Sequence, residues 1–186
     1  VQYAQNMAES GGYLLEFRLQ DYRHVHGKFD RALSIGMFEH VGKKNYRSYM
    51  KSVHTVLDDQ GLFLLHCIGG FDSSSTEDPW LDKYIFPNSV LPSLADIAKA
   101  SEGYFIIHDV QNFGIYYDTT LVEWNTRFET YWKSHEDVQK KYGTRFYRMW
   151  RYYLLMCAGT FRARKNQLYQ VVLSKPTYTG EYIGDR

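Results

Sequence analysis

Three successive segments between residues 29 and 70 alternate between strand-like and helix-like patterns, and this alternation strongly constrains the fold. FDRALSIGMF (29–38) is short and mostly apolar, and LFLLHCIGG (62–70) is almost entirely apolar. Between them, KKNYRSYMKSVHTVL (43–57) places apolar side chains at helical spacing, and DDQG (58–61) is predicted as a turn. A strand, a helix and a second buried strand indicate a βαβ unit in a parallel α/β sheet.

The remaining segments are predicted to extend this sheet and cover it with helices. YLLEFRLQ (13–20) alternates and is rich in β-forming residues, so it is predicted as a strand. VQYAQNMAES (1–10) is typical of the end of a helix that Gly11 and Gly12 stop. Further predictions are a helix at 93–103 with Ser93 as its N-cap, strands at 104–113 and 167–175, and two helices over 119–165 broken near Gly143.

Composition limits the classes of protein to consider. The 186 residues fit one domain, and a 44% apolar content is enough for a core. A net charge of +1 gives no strong field for nucleic acid. The chain has no apolar run of about 18 residues, so no membrane span is predicted. Its start, without Met and inside a helical pattern, indicates that 1–186 is a single domain truncated at its N-terminus.

Cysteine and histidine usage excludes several kinds of site. Two cysteines form no disulfide framework, which favours reduced thiols in a cytoplasmic protein. The seven histidines show no H-x-x-x-H or H-E-x-x-H spacing, so no metal site is predicted. No G-x-S-x-G elbow, P-loop or G-x-G-x-x-G turn is present. Cys157 lies on an apolar helix, where a cysteine usually packs as a small hydrophobe.

Ionisable residues stand where two predicted strands end. Glu39 and His40 follow the first strand, and His66 lies near the end of the next. Ligands of parallel α/β sheets bind at the carboxyl ends of the strands. The apolar neighbours of Glu39 predict partial burial, and a buried carboxylate needs partners or a shifted pKa. Two other interpretations stay open, namely a solvated strand end for Glu39 and a hydrogen-bonded core histidine for His66.

Five blocks, in order, carry a resemblance to a known family: FDRALSIGMFEHVGKKNY, LFLLHCIGG, DPWLDKYIFPNSVLPS, NFGIYYDTTLVEW and CAGTFRARKNQLYQVV. They resemble the cyclopropane-fatty-acyl-phospholipid synthases, which belong with the mycolic acid cyclopropane synthases among S-adenosylmethionine-dependent methyltransferases. The resemblance implies an α/β, Rossmann-like methyltransferase sheet with helices inserted around a lipid tunnel. It also implies that the first strands of that sheet are missing from this chain.

The same resemblance implies the reaction. A methylene group passes from S-adenosylmethionine to the cis double bond of an unsaturated acyl chain in a membrane phospholipid, and bound bicarbonate deprotonates the resulting carbocation. The implied protein is cytoplasmic and peripheral at the inner membrane surface, with a homodimer as one option and no nucleic-acid partner. Two alternatives stay open: a lipid methyltransferase with a branched or oxygenated product, and a non-catalytic fragment that binds lipid or a partner.

Site residues follow from matching the motifs of the family to this sequence. Glu39, His66 and Tyr117 match the bicarbonate ligands, Ile68 supplies a backbone contact, and Cys157 matches a cysteine regarded as an active-site residue. His40 is expected to be a wall or a support. The residues expected to contact the cofactor are Gln20, Asp21, Tyr22 and Ile35, whereas the glycine-rich loop of the family is absent.

Overall fold

The computed structural model describes residues 1–73 and 78–184. In these ranges four strands form one mixed sheet, in the order β1-β2-β4-β3, with helices packed against it. None of the described helices is long and apolar enough to cross a membrane. The strands are β1 (Phe29–Ile35), β2 (Leu57–Gly70), β3 (Ile106–Asn112) and β4 (Asn166–Ser174). The helices are α1 (Gln2–Ser10), α2 (Tyr46–Val56), α3 (Pro79–Tyr84), α4 (Leu94–Ser101), α5 (Gly114–Ser134) and α6 (Glu136–Arg162), with 3₁₀ turns at Tyr22–His24, Phe38–His40 and Lys43–Asn45.

The first strands form the predicted βαβ unit. β1 and β2 are parallel, with Ile35 opposite His66, and α2 makes the connection between them. β4, however, runs antiparallel to both of its neighbours, so the prediction of a wholly parallel sheet is wrong. The physical reason is the pairing of α5 with α6, because two helices that run out and back return the chain to the end of the sheet where β3 finished.

β2 separates two hydrophobic clusters. Side chains alternate between the two faces of a strand, and along 62–68 of β2 a buried residue follows each half-buried one. Phe63, Leu65 and Cys67 join the larger cluster, which α2 and α4 cover. On the opposite face Ile68 packs against the second cluster, built mainly from α5 and α6. The helices on this second face contribute one wall of the cavity described below.

The predicted strand at 13–20 is wrong. All eight residues are exposed and none is in a strand. Their main chain instead uses the side chain of Gln5 on α1, which donates to the carbonyl of Leu15 at 3.2 Å and accepts from the N–H of Phe17 at 3.1 Å. An alternating pattern predicts a strand only where a neighbouring strand supplies a ladder, and no described strand lies beside this segment.

Two boundaries also differ from prediction. The turn expected at 58–61 is a bulge inside β2, because Phe29 pairs with Leu57 while Arg31 already pairs with Leu62. The break expected near Gly143 is confirmed, since Gly143 is non-helical with φ 71° and ψ 168° and kinks α6 there, but a further break at His135, between α5 and α6, was not predicted. Ser93 is confirmed as an N-cap, since its hydroxyl accepts from Asp96 N–H and the Asp96 carboxylate accepts from Ser93 N–H.

Candidate functional site

An apolar cavity of about 290 Å³ opens where β1 ends, between the second face of the sheet and the α5–α6 pair. Clefts with mostly apolar walls and a few convergent polar groups are the usual form of a small-molecule site. The walls of this apolar cavity are Gly36, Glu39, His40, Ile68, Leu81, Phe86, Ser89, Leu91, Tyr117, Leu121, Trp124, Tyr153, Cys157, Phe161 and Asn166. Of the predicted residues, Glu39, Ile68, Tyr117 and Cys157 therefore lie together.

Glu39 continues the hydrogen-bond ladder of the sheet after β1 has turned away. The ladder between β1 and β2 ends with the N–H of Gly36 donating to the carbonyl of His66 at 3.0 Å. In a parallel pair, the next β2 group that points toward β1 is the N–H of Ile68. That N–H donates to Glu39 Oε1 at 2.7 Å. A side-chain carboxylate thus takes the place of a main-chain carbonyl, which fixes Glu39 against the sheet.

The second carboxylate oxygen of Glu39 is not used in this way. Glu39 is buried, and Oε2 has no hydrogen-bond partner among the described residues. Burial raises the pKa of Glu39 above its usual value, and the hydrogen bond from Ile68 only partly offsets that effect. A buried polar atom without a partner is uncommon in a folded protein and marks a place where a ligand can bind. Glu39 is therefore a carboxylate with one oxygen held and the other available.

Helical spacing builds the opposite wall. Residues four apart on a helix share a face, and Tyr117, Leu121 and Trp124 recur at this spacing on α5. On α6 the same holds for Tyr153, Cys157 and Phe161. The sequence reasoning selected one residue from each set and missed the others. The recurrence at i, i+4 and i+7 on α5, and at i, i+4 and i+8 on α6, was the signal that could have found them.

Tyr117 and Cys157 face Glu39 across the apolar cavity. Burial raises the pKa of Tyr117, and the nearby carboxylate of Glu39 and thiol of Cys157 raise it further. The Tyr117 ring packs on Phe161 at 4.9 Å between centroids, which fixes its orientation. Burial likewise raises the pKa of Tyr153 to about 12. Both phenols therefore stay protonated near neutral pH and are available as donors.

His66 and His40 have different positions. His66 projects from the same face of β2 as Ile68, but it lies outside the lining of the apolar cavity, and its Nδ1 lies 3.0 Å from Gln170 Nε2. Partial burial lowers its pKa, which favours the neutral imidazole. His40 lines the apolar cavity beside Phe86, with ring centroids 6.1 Å apart. His40 is thus a wall residue, as expected, whereas His66 lies two residues before Ile68 on β2 and outside the cavity that Glu39 lines.

The four predicted cofactor residues divide into two pairs. Tyr22 and Ile35 line a second cavity of about 280 Å³ between β1 and α2, here called the β1–α2 slot. Gln20 and Asp21 are exposed and lie outside its lining. Asp21 accepts from the N–H and guanidinium of Arg23, which lowers the pKa of its carboxyl. Ile35 lines the slot and the next residue, Gly36, lines the apolar cavity, so both cavities border the end of β1.

Comparison with known proteins identifies relatives of most of the chain. The family model for mycolic acid cyclopropane synthetase matches residues 2–171. The cyclopropane-fatty-acyl-phospholipid synthase of Escherichia coli K12 is 50% identical over 162 residues, covering 87% of this chain and 42% of that protein. A sphingolipid C9-methyltransferase of Komagataella phaffii is 30% identical over 155 residues, covering 80% of this chain and 31% of that protein. The chain thus spans less than half the length of these two relatives.

Solved structures agree on the fold. Cyclopropane synthase MmaA2 from Mycobacterium tuberculosis superimposes with a TM-score of 0.78 at 22% identity, covering 94% of this chain and 67% of that one. Mycolic acid cyclopropane synthase CmaA1, complexed with SAH and CTAB, gives a TM-score of 0.83 at 23% identity and covers 94% of this chain and 66% of that one. The fold of the described residues is therefore Rossmann-like, as the sequence predicted.

Proposed function

The chain belongs to the mycolic acid cyclopropane synthetase family, and from that premise we propose that it catalyses cyclopropanation of unsaturated phospholipids. In the proposed reaction, a methylene group derived from S-adenosylmethionine is added across the cis double bond of an acyl chain in a membrane phospholipid. The observation that carries the proposal is Glu39, with one oxygen on the Ile68 N–H and the other without a partner among the described residues.

The apolar cavity suits an acyl chain and the charge that develops on it. Attack of the double bond on a methyl electrophile leaves a carbocation on the acyl chain. The rings of Tyr117, Trp124 and Phe161 line the cavity, and aromatic faces attract a cation without trapping it as water would. These side chains therefore favour ring closure over addition of water.

The β1–α2 slot fits part of S-adenosylmethionine. Tyr22 packs edge-on against Tyr49 at 5.3 Å, so a flat apolar surface of Tyr22 and Ile35 is available for an adenine ring. S-adenosylmethionine supplies the electrophilic methyl group when it is bound. Both cavities border the end of β1, at Ile35 and Gly36, and this common border supports a donor site next to the acceptor site. Gln20 and Asp21 are exposed outside the slot and would add polar contacts to the cofactor from there.

Glu39 and Tyr117 fit a small oxyanion such as bicarbonate. Glu39 Oε2 needs a donor, and Tyr117 is a donor held protonated by its raised pKa. Bicarbonate, when bound, supplies a base for the proton that leaves the new methyl carbon as its C–H electron pair closes the ring. The raised pKa of Glu39 lets it hold a proton beside an anion or accept the hydrogen bond of an O–H group. His66 supports this arrangement through its main chain, whose carbonyl accepts from Gly36.

Cys157 has a smaller part in the proposal. Its thiol lines the apolar cavity and is buried, and no step of the proposed reaction needs a nucleophile. We therefore assign it to the wall of the acyl-chain site. The proposed setting is the cytoplasmic surface of a membrane, where a phospholipid can enter the cavity.

Analysis of the lipid product tests the proposal. The purified protein is incubated with vesicles of a cis-unsaturated phospholipid and S-adenosylmethionine, and the lipid is studied by mass spectrometry and proton NMR. Gain of one CH₂ with loss of the olefinic protons supports cyclopropanation. Gain of CH₂ with an olefinic proton retained would show a branched product, and gain of oxygen would show an oxygenated one. Either result would favour the alternative lipid methyltransferase over cyclopropanation. Absence of any methylated lipid, with the fold intact by circular dichroism, rejects catalysis by this chain.

A further inference from the structure

A third and larger cavity is a cleft on the outer side of the apolar cavity, between α3 and the α5–α6 pair. Its volume is about 1020 Å³. Its cationic lining consists of Lys133, Arg145, Arg148 and Arg151, and Trp80 and Tyr152 are among its aromatic residues. We call it the cationic cleft. No step of the proposed reaction uses these residues.

The cationic cleft concentrates positive charge. Its lining contains four cations and one carboxylate, Glu129, a net charge of +3 against +1 for the whole chain. Glu129 is already engaged, since it accepts from Arg151 Nε at 2.7 Å and from Asn125 at 3.2 Å. Lys133, Arg145 and Arg148 form no ion pair with any residue in 1–73 or 78–184. Of these three, Lys133 is still close enough to Glu129 to help lower the pKa of that carboxyl, so Arg145 and Arg148 are the cations of the cleft without a carboxylate partner among the described residues.

A single wall separates the cationic cleft from the apolar cavity. Consecutive residues of that wall face opposite ways: Trp80 lines the cleft and Leu81 the cavity, and Tyr152 and Tyr153 divide in the same manner. The Trp80 and Tyr152 rings meet edge to face at 4.6 Å, so α3 and α6 touch within this wall. A lipid has the same division, with an apolar chain joined to a charged head group. The two cavities are therefore neighbours that show the same division, apolar on one side and cationic on the other.

The residue types of the cleft match an anionic phospholipid surface. Arginine presents a planar fork of donors that matches the oxygens of a phosphate. Tyrosine, with an apolar ring and a polar tip, is enriched at the membrane–water boundary, and Tyr84 and Tyr152 in the cleft are 37% and 53% exposed. Leu155, in the same lining, is 36% exposed and adds an apolar contact. Clustered cations with exposed aromatics are typical of proteins that bind acidic bilayers.

We propose that the cationic cleft binds the phosphodiester head group of an anionic bilayer phospholipid while an acyl chain occupies the apolar cavity. The inference rests on the proposed function for the identity of the chain in the apolar cavity. Arg145 and Arg148 hold the phosphate oxygens, Trp80 and Tyr152 contact the glycerol region, and Lys133 adds long-range attraction. Arg151 contributes less, because Glu129 already neutralises it.

Vesicle binding tests this site without any turnover. The purified protein is sedimented with vesicles of phosphatidylglycerol or of phosphatidylcholine, in the absence of S-adenosylmethionine. The double variant Arg145→Gln/Arg148→Gln is compared with Lys140→Gln/Lys141→Gln, which removes the same charge from α6 outside the cleft lining. Since one cation near an acidic bilayer contributes roughly a fivefold gain in affinity, we expect the arginine variant to bind phosphatidylglycerol about 20-fold more weakly. The lysine variant should lose about twofold or less, and wild type should bind phosphatidylcholine weakly.

Several results would overturn the inference. Equal loss in the two double variants would show diffuse charge attraction, and unchanged binding in the arginine variant would exclude the cleft. A single-stranded oligonucleotide that displaces the protein from vesicles at lower concentration than phosphatidylglycerol would assign the cleft to nucleic acid. Matching circular dichroism melts of both variants keep the comparison valid. Vesicle binding needs no methyl donor. A negative binding result therefore would not argue against cyclopropane formation, and a negative product assay would not argue against the head-group site.

Discussion

The two faces of β2 differ in how completely the side chains of the strand itself are buried. On one face Leu65 and Cys67 have no exposed surface and Phe63 has almost none, and α2 and α4 complete their cluster. On the other face Leu64, His66 and Ile68 are half-buried, and space remains between the strand and the α5–α6 pair. The packed face holds the β2 main chain in place, so the N–H of Ile68 is positioned for Glu39. The open face can then leave room for a ligand.

The difference also explains the two cysteines. Cys67 belongs to the packed face, where burial raises the pKa of its thiol far above the usual range. Cys157 is also buried, but it lines the apolar cavity. Cys67 therefore packs in the core as an unreactive small side chain, and Cys157 is part of the wall of the apolar cavity. Similar burial of the same residue type thus has different consequences on the two sides of the sheet.

The largest expected effect comes from replacing the carboxyl group of Glu39, which lines the apolar cavity. We expect Glu39→Gln to lower the rate of cyclopropane formation by about 10²-fold or more, the range for loss of a positioned acid–base group. The amide oxygen can still accept from the Ile68 N–H, so the sheet is kept. Product is measured by mass spectrometry under single-turnover conditions. A rate within about threefold of wild type would place the essential proton acceptor elsewhere.

The packed face is tested by stability. We expect Leu65→Ala to lower the free energy of unfolding by about 2–5 kcal/mol, because it opens a cavity in a cluster with no exposed surface. Leu64→Ala, the adjacent residue on the half-buried face, is the matched control and should cost about half as much or less. Urea unfolding monitored by circular dichroism gives both values. Equal costs would remove the distinction between the faces.

Tyr117 sharpens the comparison within one helix. We expect Tyr117→Phe to slow product formation by roughly tenfold, since one hydrogen bond to a bound anion is lost, and to change stability by about 1 kcal/mol or less. Tyr116→Phe changes the neighbouring side chain, which is 66% exposed and outside the lining of the apolar cavity, and should leave the rate unchanged. Rates of the two variants are compared at saturating lipid. A similar loss in both variants would contradict the role of Tyr117.

The smallest expected effect is on the pH dependence of stability. The raised pKa of Glu39 means that the folded state binds its proton more tightly than the unfolded state does. Folded protein therefore loses stability as the pH rises from the ordinary value of 4.5 through the raised pKa, and gains nothing from this group below 4.5. Relative to Glu39→Gln, wild type should be less stable at about pH 8 and equally stable at about pH 4. A pH-independent difference in urea midpoints would show that the carboxyl is not perturbed by burial.

Part of this molecule could be predicted from sequence, for identifiable reasons. Periodicity located β2 and the Ser93 helix because local pattern and packing agree there. It failed at 13–20 because a strand depends on a neighbour that the pattern does not reveal. Glu39 was accessible to prediction from its apolar flanks, whereas its bond to Ile68 depends on the register of the sheet. The position of His66 outside the cavity depends on the same register.

The most direct test of the central claim compares bicarbonate dependence in wild type and Glu39→Gln. Turnover of cis-unsaturated phospholipid is measured in buffer freed of carbon dioxide, and bicarbonate is then added back. If Glu39 Oε2 and Tyr117 hold the base that closes the ring, wild-type turnover falls in the depleted buffer and recovers on addition, while the variant stays slow in both. Wild-type turnover that is the same with and without bicarbonate would contradict the account.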